Sequence, residues 1–188
     1  GLKVSAEVFD SNLASKFSRA AVVDVAADGV VRAFAIPALP DLTTTYFLRL
    51  KLEDAAGRPV SANFYWLSTR EDEIDWDKTE WYYTPTRRHA DLKALASLPP
   101  TTLAVSSRLE PSGSEDGARV TIANTGSALA FQVRLKLTDG AGGPEILPAY
   151  WEDNYFALFP GEKRELRVSY ARGAAKTPVV EAEAWNAK

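Results

Sequence analysis

From Tyr46 to Leu52 every second residue is apolar (Tyr46, Leu48, Leu50, Leu52), while Phe47, Arg49, Lys51 and Glu53 occupy the other parity. A period of two fits a strand with one face on a core and the other in water. The same alternation runs through Val4, Ala6 and Val8, and through Val60, Ala62, Phe64 and Trp66. Residues 30–36 continue it, with Arg32 as a polar interruption before Phe34 and Pro37 as the stop, so a strand is predicted there too. Short turns separate these runs. Ala26-Ala27-Asp28-Gly29 and Asp54-Ala55-Ala56-Gly57 both end on glycine, which tolerates the positive φ of tight turns.

A second cycle follows Pro99-Pro100. Leu103, Val105, Ser107 and Leu109 alternate first, a polar turn spans residues 111–117, and Val120/Ile122 leads to Asn124-Thr125-Gly126. Phe131, Val133, Leu135 and Leu137, interleaved with Gln132, Arg134, Lys136 and Thr138, form the clearest strand of the chain. The Gly- and Pro-rich stretch 139–144 reads as a loop. In Phe159-Pro160-Gly161-Glu162, Pro presets φ at the second turn position and Gly accepts φ > 0 at the third. Leu166/Val168/Tyr170 and Val180/Ala182/Ala184 complete about seven strands, the rhythm of an immunoglobulin or fibronectin-type sandwich. Between the cycles, Leu92, Leu95 and Leu98 sit three apart behind Asp91, which predicts a short helix over 90–98. Since Pro99-Pro100 cannot extend it, the expected architecture is all-β: two tandem immunoglobulin- or fibronectin-like β-sandwiches, 1–98 and 99–188.

Composition removes several functions. With 22 Lys+Arg against 25 Asp+Glu the net charge is −3, without the basic excess that phosphate neutralisation by a nucleic-acid-binding surface needs. Zero Cys and a single His, His89, exclude thiolate chemistry and almost every zinc site, so no cofactor or metal is expected. No apolar run reaches the roughly 18 to 20 residues of a membrane-spanning helix, and no membrane partner is expected. Zero Met in 188 residues marks the chain as an excised piece of something longer.

Three constellations could carry chemistry. The acidic run Glu71, Asp72, Glu73, Asp75, Asp77 lacks the sixth-position glycine of a calcium loop, and in a polar loop solvation would keep every carboxylate ionised. His89 stands beside Arg87 and Arg88 with no nucleophile in view, which suits a surface residue. The aromatics say more. Phe64, Tyr65, Trp66, Trp76, Trp81, Tyr82 and Tyr83 crowd one segment, and Tyr150, Trp151, Tyr155 and Phe156 another. Alternation turns Phe64 and Trp66 inward and Tyr65 outward, so not all these rings fit one small core. The surplus suits an interface anchor or a sugar-stacking platform.

Asn63-Phe64-Tyr65-Trp66-Leu67-Ser68-Thr69, Asp75-Trp76-Asp77-Lys78, Trp81-Tyr82-Tyr83-Thr84-Pro85-Thr86 and Ala90-Asp91-Leu92 resemble the region that follows the catalytic barrel in family 2 exo-β-D-glucosaminidases, and less closely the related β-mannosidases. Trp151-Glu152-Asp153-Asn154-Tyr155-Phe156 and the Pro160-Gly161-Glu162 turn are similar to the last sandwich domain of those enzymes. The resemblance implies a parent with a jelly-roll sugar-binding domain, a sandwich, a (β/α)₈ barrel and two final sandwiches, secreted or periplasmic, of which this chain is the final pair. It places the retaining carboxylates in the barrel, the acid/base Glu directly after an Asn. No Asn-Glu dipeptide occurs here, and a barrel needs about 250 residues of alternating strand and helix. No catalytic residue is therefore carried over. The implied partners are that barrel and a β-linked glucosamine or mannose saccharide, with Trp66, Trp76, Trp81, Tyr82, Trp151, Asp153 and Asn154 as candidate contacts. A free-standing carbohydrate-binding module and a protein-interaction sandwich remain the alternatives.

Overall fold

A computed structural model describes residues 1–187. It is all-β and divides into two compact units, Gly1–Ser97 and Leu98–Lys188.

Unit 1 holds β1 (Leu2–Asp10), β2 (Ser15–Val23), β3 (Thr45–Glu53) and β4 (Pro59–Ser68) in one antiparallel sheet of order β2-β1-β3-β4. A two-stranded ribbon follows, β5 (Glu73–Ile74) with β6 (Thr86–Arg88). Register sorts the four-stranded sheet into two unlike faces. Val4 pairs Leu52, Ala6 pairs Leu50 and Val8 pairs Leu48, with Ala21 and Phe17 alongside on β2 and Tyr65 on β4, so one face is apolar along β1 and β3, while Arg19 on β2 and Ser61 and Asn63 on β4 interrupt it at the edges. The other face carries the direct cross-strand ion pairs Lys3–Glu53 (3.0 Å) and Glu7–Arg49 (2.8 Å). At its far end Phe47, fully buried, stacks on Phe64 with ring centroids 5.4 Å apart. A slip of one residue would exchange the two faces.

Unit 2 is a complete sandwich. β7 (Leu103–Ser112), β8 (Glu115–Asn124), β10 (Ala149–Trp151) and β12 (Lys163–Tyr170) form a sheet of order β10-β12-β8-β7. β9 (Ala130–Asp139), β11 (Phe156–Leu158) and β13 (Pro178–Glu183) form the second, of order β11-β9-β13. Val120 and Ile122 from the first sheet meet Val133, Leu135 and Leu137 from the second, all within 1% of full burial. Asn124 sits in that interior with both ends of its amide used. Nδ2 donates to the carbonyls of Ala128 (2.7 Å) and Leu158 (2.9 Å), and Oδ1 accepts from the Thr101 hydroxyl (2.7 Å) and the Gly126 amide (3.1 Å). Gly126 is required there, because a Cβ would lie 2.2 Å from Thr101 Oγ1. Gly161, at φ 76°, makes the Pro160-Gly161 turn as its spacing predicts.

Two expected elements differ. The predicted helix over 90–98 is a single 3₁₀ segment, Lys93–Ser97, with Asp91 Oδ1 accepting the Lys93 amide (3.2 Å). Leucines three apart eclipse on a threefold helix, whereas an α-helical stripe needs threes and fours. Residues 30–36 form no strand. They belong to the β2–β3 connection, and Val30 is 99% exposed.

Candidate functional site

The aromatic segment of unit 1 is held by an ion-paired carboxylate. Asp75, 5% exposed, accepts from Arg87 (3.0 Å) and lies 3.4 Å from the Lys78 ammonium, while its amide donates to the Pro85 carbonyl (2.9 Å). The hydrogen bond from Arg87, then that from Lys78, holds its carboxyl below the usual carboxylate range against the opposing effect of burial. Glu73 pairs both Arg87 (3.3 Å) and Arg88 (3.4 Å), and Asp72 accepts the Ala90 amide (2.8 Å). Within the acidic run Glu71, Asp72 and Asp77 are exposed and Glu73 is half-buried, as a solvated loop would have them, whereas Asp75 is buried in ion pairs that keep it ionised. His89 is exposed, with Nδ1 3.7 Å from Asp72. Among the described residues no group of three or more Asp, Glu, His or Cys could hold a metal.

On this base the chain makes a 3₁₀ turn at Trp76–Lys78, closed by the Thr79 hydroxyl donating to the Trp76 carbonyl (2.8 Å). It then makes a two-residue hairpin turn. Glu80 and Tyr83 exchange both backbone hydrogen bonds (2.8 and 2.7 Å), which puts Trp81 and Tyr82 at the tip. Trp81 has φ 35°, a conformation usually left to Gly or Asn and costly for a bulky residue. It is 94% exposed and Tyr82 84%. Their rings meet edge to face at 84°, with centroids 4.8 Å apart. The two perpendicular rings form a wedge at the tip of the turn. Trp76 is also exposed. The positive φ at Trp81 carries no sequence signal, since the turn lacks the Asn-Gly or Asp-Gly that normally announces it.

Trp66 lies in β4, paired with Phe47, and is 39% exposed. The expected inward turn of Trp66 is only partial, and Tyr65, expected outward, points to the apolar plane beside Leu48 at nearly equal exposure.

In unit 2 the candidates sit within the fold's own framework. Trp151 packs on the hydrophobic core. Asp153 pairs Arg164 (2.5 Å), whose guanidinium lies 4.6 Å over the Phe156 ring. Asn154 acts as a surrogate strand: Oδ1 accepts the Leu135 amide (2.8 Å) and Nδ2 donates to the Leu135 carbonyl (3.0 Å). These two side chains tie the segment between β10 and β11 to the sandwich.

Residues 81–187 match the family of exo-β-D-glucosaminidase Ig-fold domains. Across 99% of its length the chain is 39% identical to the exo-β-D-glucosaminidase of Streptomyces avermitilis, of which it covers 21%. It is 43% identical over 66% of its length to that of Arthroderma benhamiae, covering 14% of that protein. The crystal structure of the exo-chitosanase CsxA from Amycolatopsis orientalis superposes on the whole chain with a TM-score of 0.88 at 32% identity, and the match occupies 23% of CsxA. The chain therefore spans about a fifth of its full-length bacterial relatives. Family match, sequence identity and superposition agree, and the chain belongs to the immunoglobulin-fold domains of the glycoside hydrolase family 2 exo-β-D-glucosaminidases.

Proposed function

We propose that this chain is the non-catalytic sandwich pair of a family 2 exo-β-D-glucosaminidase and that it braces a catalytic barrel on the same polypeptide. The observation that carries this reading is the alignment of almost the entire chain with a fifth of an exo-β-D-glucosaminidase, at the identity given above. The ion-paired loop fits the same role. The Asp75 and Glu73 carboxylates are committed to Arg and Lys, and the lowered pKa of Asp75 suits a structural anion and not a general acid. The loop carries Trp81 and Tyr82 outward on a closed turn, as an anchor that fills a pocket in a neighbouring domain would be carried.

The test is Trp81→Ala in the full-length enzyme. Loss of an aromatic anchor, on the order of 2 kcal/mol, lowers the temperature of thermal inactivation by a few degrees while KM for chitosan oligomers stays within about twofold. A tenfold rise in KM with unchanged heat resistance would assign the loop to saccharide contact instead. Saturable quenching of Trp fluorescence in the 188-residue chain by chitosan oligomers, lost on Trp76→Ala, would make it a binding module.

A further inference from the structure

The three-stranded sheet of unit 2 carries an open groove of about 870 Å³ on its outer face. Two exposed rings flank it. Tyr155 immediately precedes β11 and Trp185 lies two residues beyond β13, and these are the outer strands of the order β11-β9-β13, so the rings come from opposite sides of β9. Between them lie Gln132, Arg134 and Lys136, whose parity along β9 is opposite to that of Val133, Leu135 and Leu137 in the core. Two strand intervals, about 10 Å, separate the outer strands, a width that two linked pyranose rings span.

The groove is held rigidly, and at a cost in backbone strain. Ala184 and Ala187 exchange both backbone hydrogen bonds (3.1 and 3.2 Å), which puts Trp185 and Asn186 at the tip of a two-residue turn. The Trp185 amide donates to the Phe131 carbonyl (2.8 Å). Asn186 fastens the turn to the sandwich, its Nδ2 donating to the carbonyls of Pro99 (2.6 Å) and Leu129 (2.7 Å) and its Oδ1 accepting the Phe131 amide (3.0 Å). On the other side the Tyr155 amide donates to Oδ1 of Asn154 (3.0 Å), the residue clamped on Leu135. Gln132 has φ 53° and Tyr155 φ 59°, so two of the five non-glycine residues with positive φ among the described residues line this one groove. At Gln132 the cause is a bulge: Val133 pairs Phe156 but Ala130 pairs Leu158, which leaves one extra residue on β9 and re-aims the side chain. Strain of this kind persists where a side chain must be held in one direction.

The floor supplies donors and acceptors together. Arg134 pairs Glu183 (3.1 Å) and Glu145 (2.8 Å), Lys136 pairs Glu183 (3.0 Å), and Glu181 accepts the Gly142 amide (2.6 Å). Three carboxylates against two cations leave one net negative charge. An apolar peptide laid there would strip water from these charges without replacing its hydrogen bonds. A phosphate chain would meet the surplus carboxylate. A flat, β-linked sugar chain meets all three features: its C–H faces pack on aromatic rings, its hydroxyls both donate and accept, and an amino group supplies the compensating charge. The geometry points to this groove as a binding site for a β-linked amino-sugar oligosaccharide, with its ring faces on Trp185 and Tyr155, its hydroxyls on Gln132 and Arg134 and its ammonium beside Glu181 and Glu183. The site goes beyond bracing of the barrel and does not depend on it.

Calorimetric titration of the 188-residue chain with chitosan oligomers tests it. Saturable binding is expected, weakened about tenfold by Trp185→Ala, which keeps the backbone bonds of its turn. Fully N-acetylated oligomers, which lack the ammonium, bind about fivefold more weakly. Trp76→Ala and Trp81→Ala leave the affinity unchanged. Gln132→Asn separates binding from folding: Asn accepts a left-handed φ more readily and its side chain is one methylene shorter, so the thermal midpoint holds or rises while affinity falls about threefold. Absence of saturation, equal affinity for the acetylated oligomers, or unchanged affinity in Trp185→Ala or Gln132→Asn overturns the proposal. In the full-length protein bromosuccinimide modifies Trp185 as fast as in the 188-residue chain. A reaction about tenfold slower there would give the groove to a neighbouring domain and overturn the site as well. The two readings fail separately: bracing fails on heat resistance in Trp81→Ala, the saccharide groove on calorimetry with Trp185→Ala.

Discussion

At the scale of single residues, the polar side chains that matter most are the ones the fold consumes. Asn124 makes four side-chain hydrogen bonds in the interior, so Asn124→Ala takes a donor from the carbonyls of Ala128 and Leu158 and an acceptor from the Gly126 amide, and leaves the Thr101 hydroxyl with the Ala128 carbonyl (3.1 Å). A loss on the order of 3 kcal/mol is expected, read as a lower urea midpoint for unit 2 with its slope unchanged. Asp75 gives a pH dependence with a definite sign. Because its folded pKa is depressed, its contribution is complete above the unfolded value of about 3.9 and is lost as pH falls through the folded value. Near-ultraviolet circular dichroism of the Trp76–Trp81 loop should therefore hold at pH 5 and collapse only below about 4, and Asp75→Asn should abolish that acid transition. Asn154 and Asp153 were candidates through the family resemblance of the stretch from Trp151 to Phe156. What they touch, a backbone amide and carbonyl nineteen residues away in one case and Arg164 in the other, is a long-range pairing that local sequence does not encode.

Among elements, alternation was a faithful guide wherever a strand had neighbours on both sides. β3 and β9 fall where the period of two puts them, and Phe131, Val133, Leu135 and Leu137 go into the core as their parity requires. It misled at residues 30–36, where the pattern is that of a strand but no ladder forms: periodicity reports which side chains can share a face, and hydrogen-bond partners come from elsewhere in the chain. The Lys93–Ser97 segment teaches the converse, since a spacing of strict threes already specified a 3₁₀ turn. The hairpin at Trp81-Tyr82 left no trace because its φ is imposed by the Glu80–Tyr83 hydrogen bonds and the Asp75 clamp. Trp81→Gly should relieve that backbone and stabilise the isolated loop by about 1 kcal/mol, visible as slower amide exchange at Glu80 and Tyr83. Faster exchange would show that the ring itself supports the turn.

For the molecule as a whole, the two units differ in how much they hide. Unit 2 places a two-sided core behind β7–β13, whereas unit 1 relies on Phe47, Phe9 and a half-covered plane. Calorimetry of the isolated chain should accordingly resolve two transitions, with the amides of β1–β4 exchanging before those of β8, β9 and β12; one cooperative transition would contradict the difference in burial. The tandem all-β organisation was readable because turn residues and alternation are local, and the unequal completeness of the halves was not, because burial is a property of assembled layers. The exposure of Trp81 has a chemical consequence as well. With zero Cys and zero Met there is no sulfur anywhere in these 188 residues to absorb an oxidant, and indole becomes the most vulnerable group. Of the five tryptophans Trp81 stands farthest into solvent, so mild photo-oxidation or a bromosuccinimide titration should mark the tip of the hairpin first, turning a natural side chain into a single-site footprint of whatever shields it.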